Sequence, residues 1–343
     1  MRDLAKRALR RDVGSGRVPV LSSGSWEDFP VEEPRVVQIC HPDWRGVRTA
    51  AYAFRSPVVE VDDLNRWGEH LLRRMKTAEI SVVVIQGWPP GSGEFATRCH
   101  AVGMTVKCVF HSSPALQGES PTEAAVVKRA LELKQSGILE RVATVKAGVA
   151  EAFVSLGHQV TYLPNRAPQL PEIDKRDLGP GLHVGIFGEP WWPKNVASQV
   201  FAAGLLADSV VHLTKRLPME YVPEDKYVVH GELPWDEFLT ILGSVDVNLY
   251  VTLTECHPLL PIESYLLGVP CLTSRTSSVF RDDPVLWELT AVDRPDEPLA
   301  IAEAASALLD RSDLALERAR SWISRSDAAA QMAWQRFIAP TST

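Results

Sequence analysis

No stretch of this sequence approaches the roughly 18–20 consecutive apolar residues that a membrane-spanning helix requires. The amino terminus carries basic residues but lacks the apolar segment of a signal peptide, which points to a cytoplasmic protein. Cysteine is scarce: Cys40, Cys99, Cys108, Cys256 and Cys271 make five, an odd number with no Cys-x-x-Cys pair. That pattern argues against a disulfide framework or a zinc site and predicts reduced, buried thiols. Positive charge is also short, with a net charge of −7. The acidic balance disfavours a surface devoted to nucleic acid, although local basic patches stay open. No Asp-x-Asp pair is present to hold a metal beside a phosphate.

What the chain does have is alternation. Its 343 residues suffice for two domains. Short apolar runs (Val36 to Cys40, Pro57 to Val61, Ile80 to Gln86, Val106 to Phe110) alternate with helical stretches, and the rhythm resumes after residue 181. Continuous apolar runs are the mark of strands buried on both faces, so the fold class predicted is α/β, with parallel sheets covered by helices. Residues 1–34 read as an irregular lead-in. Its first dozen residues are a candidate peripheral membrane contact, but their apolar face is small and a solvated tail is the preferred reading. The Pro- and Gly-rich segment 168–181 is the natural linker between domains at 35–167 and 182–326. Thr122 is predicted to cap a helix running to Gln135. Met332, Trp334 and Phe337, at helical spacing within 327–343, are predicted to pack on an apolar surface.

The densest pattern is Asp246 to Ser274, DVNLYVTLTECHPLLPIESYLLGVPCLTS. A short strand leads through a polar turn into a helix near Pro261 that Gly268 closes. The turn lies at a strand's carboxyl end, where open α/β sheets bind ligands, and its N–H groups suit an anion. Glu255 and Glu263 add carboxylates, which accept strong hydrogen bonds from paired hydroxyls of a sugar or ribose. This segment resembles the Glu-x7-Glu signature of the retaining family-four glycosyltransferases, including the Gly-x-Pro entry to the next strand. The resemblance implies a GT-B fold, two Rossmann-like domains with parallel sheets facing across a cleft. It also implies a nucleotide-sugar site in the second domain and a last helix that crosses back onto the first. Glu263 would hold the ribose and Glu255 the donor sugar. The backbone of Cys256, His257, Pro258, Leu259 and Leu260 would face sugar and diphosphate, and no metal or other cofactor would be needed.

The same resemblance extends to other positions. In VKCVFHSSPAL, His111 matches a histidine beside the donor sugar, one that could donate to a hydroxyl or stabilise developing charge. Lys194, in the loop opened by Gly188, matches the lysine that meets the diphosphate, and Gly46 matches a glycine near the sugars. Two positions depart from the family. Arg166 replaces a turn glycine, and Glu189 or Pro190 stands where a diphosphate-binding arginine belongs. A glutamate there repels the diphosphate by about 1–4 kcal/mol unless it points away or Lys215 or Arg216 compensates. The hydroxyl-rich turn Thr273 to Ser278 is a further candidate phosphate contact. The implied activity is retaining transfer of a hexosyl group from a nucleoside-diphosphate sugar to a hydroxyl of a glycan, lipid-linked or small-molecule acceptor. The alternatives are a non-catalytic GT-B subunit, a transferase acting on modified DNA bases, and a sugar epimerase.

Overall fold

A computed structural model describes residues 20–21, 35–217 and 226–340. Seven strands build the first sheet: β1 (Val20–Leu21), β2 (Val36–Cys40), β3 (Val58–Glu60), β4 (Val82–Gln86), β5 (Thr105–Phe110), β6 (Leu139–Thr144) and β7 (Val160–Tyr162). Their order is β1-β3-β2-β4-β5-β6-β7, parallel throughout except for the β1–β3 pair. Six strands build the second sheet: β8 (Leu182–Ile186), β9 (Ser209–Leu213), β10 (Tyr227–Val229), β11 (Val247–Tyr250), β12 (Cys271–Ser274) and β13 (Ala291–Val292). That sheet is wholly parallel, in the order β10-β9-β8-β11-β12-β13. The apolar runs VVQIC and VVVIQ are buried at every position because helices cover both faces of β2 and β4. β1 shows that the lead-in is not irregular throughout; the basic residues 1–12 lie outside the described part. All five cysteines are free and buried. Among the described residues no helix is long and apolar enough to cross a membrane.

The carboxyl ends of the two sheets meet. Just past β5, Ser113 accepts a hydrogen bond from Thr254 (2.9 Å), which lies beyond β11. Asn165, beyond β7, donates to the His257 carbonyl (2.8 Å). The segment expected as a linker carries no regular structure, and its Leu170, Ile173 and Leu178 pack on the helix Trp235–Ser244.

The last helix fastens this arrangement. It runs unbroken from Ser312 to Ile338, 27 residues and about 40 Å, so the boundary expected at 326/327 falls inside it. Its first half packs Ala315, Ala319, Trp322 and Ile323 into the core of the second sheet. Its second half packs Trp334 and Phe337 against Val36, Phe54, Val84 and Val109 of the first. Met332, expected in that stripe, is instead 54% exposed. Arg166 grips Asp327 of this helix with a two-pronged bond (2.9 and 2.6 Å), which gives the residue a structural task. The cap of the helix Pro121–Gln135 is Ser120, whose hydroxyl accepts from the Glu123 N–H, and not Thr122.

Two buried polar chains complete the frame. Lys107, on β5 and wholly buried, donates to the carbonyls of Phe337 (2.7 Å), Ile338 (2.9 Å) and Ala339 (2.9 Å), the unpaired end of the last helix. Burial lowers its pKa to about 8, with Glu140 opposing the shift, so the ammonium survives at neutral pH. In the second sheet His183, His212 and His230 form a row across β8, β9 and the end of β10. The Gly179 carbonyl can only accept from His183 Nε2 (3.2 Å), so His183 Nδ1 accepts from His212 (3.0 Å) and His212 Nδ1 from His230 (2.9 Å). His230 is thus committed to this row. Replacing Lys107 with methionine removes the helix-end ammonium. We expect a loss on the order of 3 kcal/mol in urea unfolding, with faster amide exchange in the last turn of the final helix. Unchanged exchange there would show that apolar packing alone seats the helix.

Candidate functional site

β8 and β11 are neighbours, so the loops at their carboxyl ends stand side by side. Lys194 closes a short 3-10 turn, Trp192–Lys194, after β8. The next residue, Asn195, has φ 52°, and its side chain holds the carbonyls of Val251 (3.2 Å) and Pro295. Gln199 adds a second brace, donating to the Lys194 carbonyl (2.7 Å) and accepting from the Val251 N–H (2.9 Å). Gly188 sits against the lysine stem: a Cβ there would lie 3.2 Å from Lys194 Cβ.

This loop sets the lysine beside Glu255. Lys194 forms an ion pair with the Glu255 carboxylate and donates to the Tyr250 hydroxyl (2.7 Å), which itself donates to Glu255 (2.9 Å). Burial pushes the Glu255 carboxyl up, but the adjacent ammonium outweighs it and holds the group below its ordinary value. Against burial, Tyr250 and Glu255 keep Lys194 firmly charged. Lys146, beyond β6 of the first sheet, donates to the carbonyls of Glu255 and Thr276 (2.8 Å to the latter) and so pins the turn across the two halves.

Glu263 lies in the helix Leu260–Leu266 and is 6% exposed. Burial pushes its carboxyl up to about 7, opposed by the guanidinium of Arg45. Arg45 opens the helix Arg45–Ala53 after β2 and lies 3.6 Å above the Phe238 ring. Burial lowers its pKa, while Glu263 and Glu189 favour its charge. The charge of Arg45, from the first half, is thus felt by Glu263 and Glu189 of the second, although no ion pair joins them. Glu189 itself pairs with Lys215 (2.7 Å), one of the compensating cations expected from the sequence. Trp191 and Trp192 are exposed at this loop, at 46% and 44%.

His111, just beyond β5, is bonded through Nε2 to Gln86 (2.8 Å). Burial, with His257 nearby, lowers its pKa to about 4, so it is a neutral imidazole near pH 7 and not a ready cation. The turn after Glu255 is less open than expected. The Cys256 N–H is spent on Glu255 Oε1 (3.1 Å), and Pro258 has no N–H. The Cys256 side chain packs with Val36 and Trp334 of the inter-sheet cluster. Pro258, Leu259 and His257 are buried, and Leu260 is half-buried. Gly46 is the second residue of its helix, with an ordinary φ and open space around its α-carbon, so neither contact nor backbone demands a glycine.

The hydroxyl-rich turn is also occupied. Thr273 donates to the Thr290 carbonyl (3.1 Å), Ser274 and Thr276 to that of Thr252 (2.7 and 3.1 Å), and Ser278 to that of Cys256 (2.9 Å). Those hydroxyls tie the turn together and do not wait for phosphate.

Sequence reasoning missed Arg45, Tyr250 and Lys146. Each stands at or just beyond the carboxyl end of a parallel strand, the one signal that could have found them. Among the described residues no group of three or more His, Cys, Asp or Glu is placed to hold a metal ion.

No family profile matches the chain, and no curated protein does. Solved structures do. A sucrose-phosphate synthase from Thermosynechococcus elongatus superposes with a TM-score of 0.68 at 14% identity, covering 88% of this chain and 98% of that one. An α,α-trehalose-phosphate synthase (UDP-forming) from Burkholderia xenovorans, in complex with glucose-6-phosphate, gives 0.61 at 10% identity over 89% and 100%. The N-terminal domain of a Candida albicans trehalose-6-phosphate phosphatase gives 0.56 at 10% identity over 79% and 73%. The chain has the GT-B fold: α/β, with two parallel-stranded sheets of the Rossmann type.

The buried Glu263 carries a definite pH signature. Its folded pKa of about 7 lies above the ordinary 4.5, so the stability tied to its protonation is present below 4.5 and lost as pH rises through 7. Glu263→Gln should therefore exceed the wild type at pH 8, by up to about 3 kcal/mol, and match it near pH 4. Urea unfolding at both pH values checks this. A less stable variant at pH 8 would mean that Arg45 holds Glu263 as an anion.

Proposed function

We propose that the chain is a retaining glycosyltransferase that moves a hexosyl group from a nucleoside-diphosphate sugar to a hydroxyl of a carbohydrate acceptor. The observation that carries this reading is the Lys194–Glu255 pair at the shared mouth of β8 and β11, with Glu263 buried in the helix that follows and under the charge of Arg45. Sugar-phosphate synthases of the same fold support it. In this reading Glu263 accepts from the ribose hydroxyls, a task that needs the carboxylate form. Glu255 accepts from hydroxyls of the donor sugar and releases Lys194 to the diphosphate. Lys194 and Arg45 stabilise the negative charge that develops on the leaving group, so that no metal is required. Arg45, reaching over from the first half, stands in for the arginine absent at position 189, and Lys215 neutralises Glu189. His111 contacts the sugar from the first half. Closure between the sheets excludes water from the reacting centre.

A non-catalytic GT-B subunit is the second reading. Glu189 beside the diphosphate position and the Cys256 amide consumed by Glu255 favour it. So does the same fold in the N-terminal domain of a phosphatase.

A thermal-shift panel of UDP, GDP, ADP and their hexose conjugates, with and without magnesium, tests the donor site that the transferase reading requires. Ligand at a hundred times its Kd adds about 2.7 kcal/mol, which raises the midpoint by several degrees. We expect one nucleotide series to do this, the effect to shrink from pH 8 to pH 6 as Glu263 protonates, and Glu263→Ala to abolish it. Silence across the panel from a folded protein overturns the transferase reading.

A further inference from the structure

We propose that Gln38 and Gln86 are positioning residues that lock His111 in its Nε2–H tautomer, leaving Nδ1 as the nitrogen that accepts a hydrogen bond from a substrate hydroxyl. The hydroxyl part rests on the transferase reading; the tautomer does not.

The lock is deduced from one fixed end. Gln38, wholly buried in β2, places its side-chain nitrogen 2.7 Å from the Ala51 carbonyl and 3.3 Å from that of Ser56. A carbonyl can only accept, so the donor end of Gln38 must lie there and its Oε1 must face β4. Gln86, also wholly buried and the last residue of β4, donates to that oxygen (2.7 Å). Its own Oε1 is then the atom 2.8 Å from His111 Nε2, and an oxygen there requires the histidine to bring the proton. Turning any one member sets two donors or two acceptors against each other inside the sheet, where water cannot relieve them.

The topology supports the assignment. β2, β4 and β5 are consecutive in the sheet, with Gln38 level with Val84 and Gln86 level with Val109. The chain of bonds therefore climbs from mid-sheet to the mouth. Its members interrupt two strands otherwise filled by Val, Ile and Cys, where an apolar residue would pack without the cost of burying an amide. His257, from the turn after β11, is the titratable neighbour that faces His111, and with burial it disfavours the imidazolium. The result is a neutral ring whose remaining nitrogen accepts a hydrogen bond from a hydroxyl and offers no donor to a phosphate or carboxylate.

Long-range proton–nitrogen spectra of the full chain labelled with [15N]histidine test the lock, with His111 assigned by comparison with His111→Asn. We expect a protonated Nε2 and a bare Nδ1 that persist from pH 8 to below pH 6. In Gln86→Leu, which leaves Nε2 without its acceptor, the tautomers should mix. In Gln86→Glu a protonated carboxyl, donating to Gln38 Oε1 and accepting from Nε2–H, should keep the tautomer. A wild-type Nδ1–H form or a tautomer mixture overturns the proposal, as does a Gln86→Leu spectrum unchanged at His111. Should Gln86→Leu not fold, the wild-type spectrum and Gln86→Glu decide alone. Because the spectrum is read without substrate, its failure is distinct from a failure of nucleotide-sugar binding.

Discussion

One buried ammonium holds the end of a helix that belongs to two cores. Lys107 satisfies three carbonyls that the last helix cannot pair for itself, and it does so from the centre of the first sheet. The other half of the same helix is embedded in the second sheet's core, where Asp283 also meets Arg318 and Arg325. The contacts across the mouth, from Ser113 to Thr254 and from Lys146 to the Glu255 turn, join the same two sheets that this helix spans. The charged cap and the stacked pair Phe54–Trp334 (centroids 4.3 Å apart) act together, one fixing direction and the other supplying buried area.

Within that frame the site departs from what stability alone would select. A carboxyl pushed up to about 7, an arginine disfavoured by burial and a histidine lowered to about 4 all lie at one mouth. Structural ion pairs usually hold carboxylates below their ordinary range, as Arg318 and the Leu286 N–H do for Asp283. Glu263 is shifted the other way, because burial dominates its single facing cation. Strained protonation of this kind gathers where ligands supply the missing partners.

Much of the fold was legible because it rests on local pattern. VVQIC and VVVIQ announce strands buried on both faces, and Asp246 to Ser274 marks a strand–turn–helix at the carboxyl end of the second sheet. The failures share a different cause. Lys107 in VKCVF looks like an ordinary strand residue, and its partners lie 230 positions away. Arg45 gives no sign of reaching Phe238 and Glu263. The unit placed at 327–343 proved to be the second half of one helix, Ser312–Ile338, whose Asp327 is held by Arg166 from 161 positions away. One error was avoidable: Pro121 favours the first helical position, which makes Ser120 the cap. The hydroxyls of Thr273 to Ser278 misled because composition cannot say whether a donor is already spent.

The central claim is turnover, and the most direct measurement is nucleoside-diphosphate release from the nucleotide sugar that the protein binds, followed with and without sugar and sugar-phosphate acceptors. The account predicts release that rises with one acceptor class, a product whose anomeric proton coupling matches the donor's configuration, and loss of both in Lys194→Ala. Tight donor binding with no acceptor-dependent release would contradict it and leave a GT-B subunit that binds without turning over.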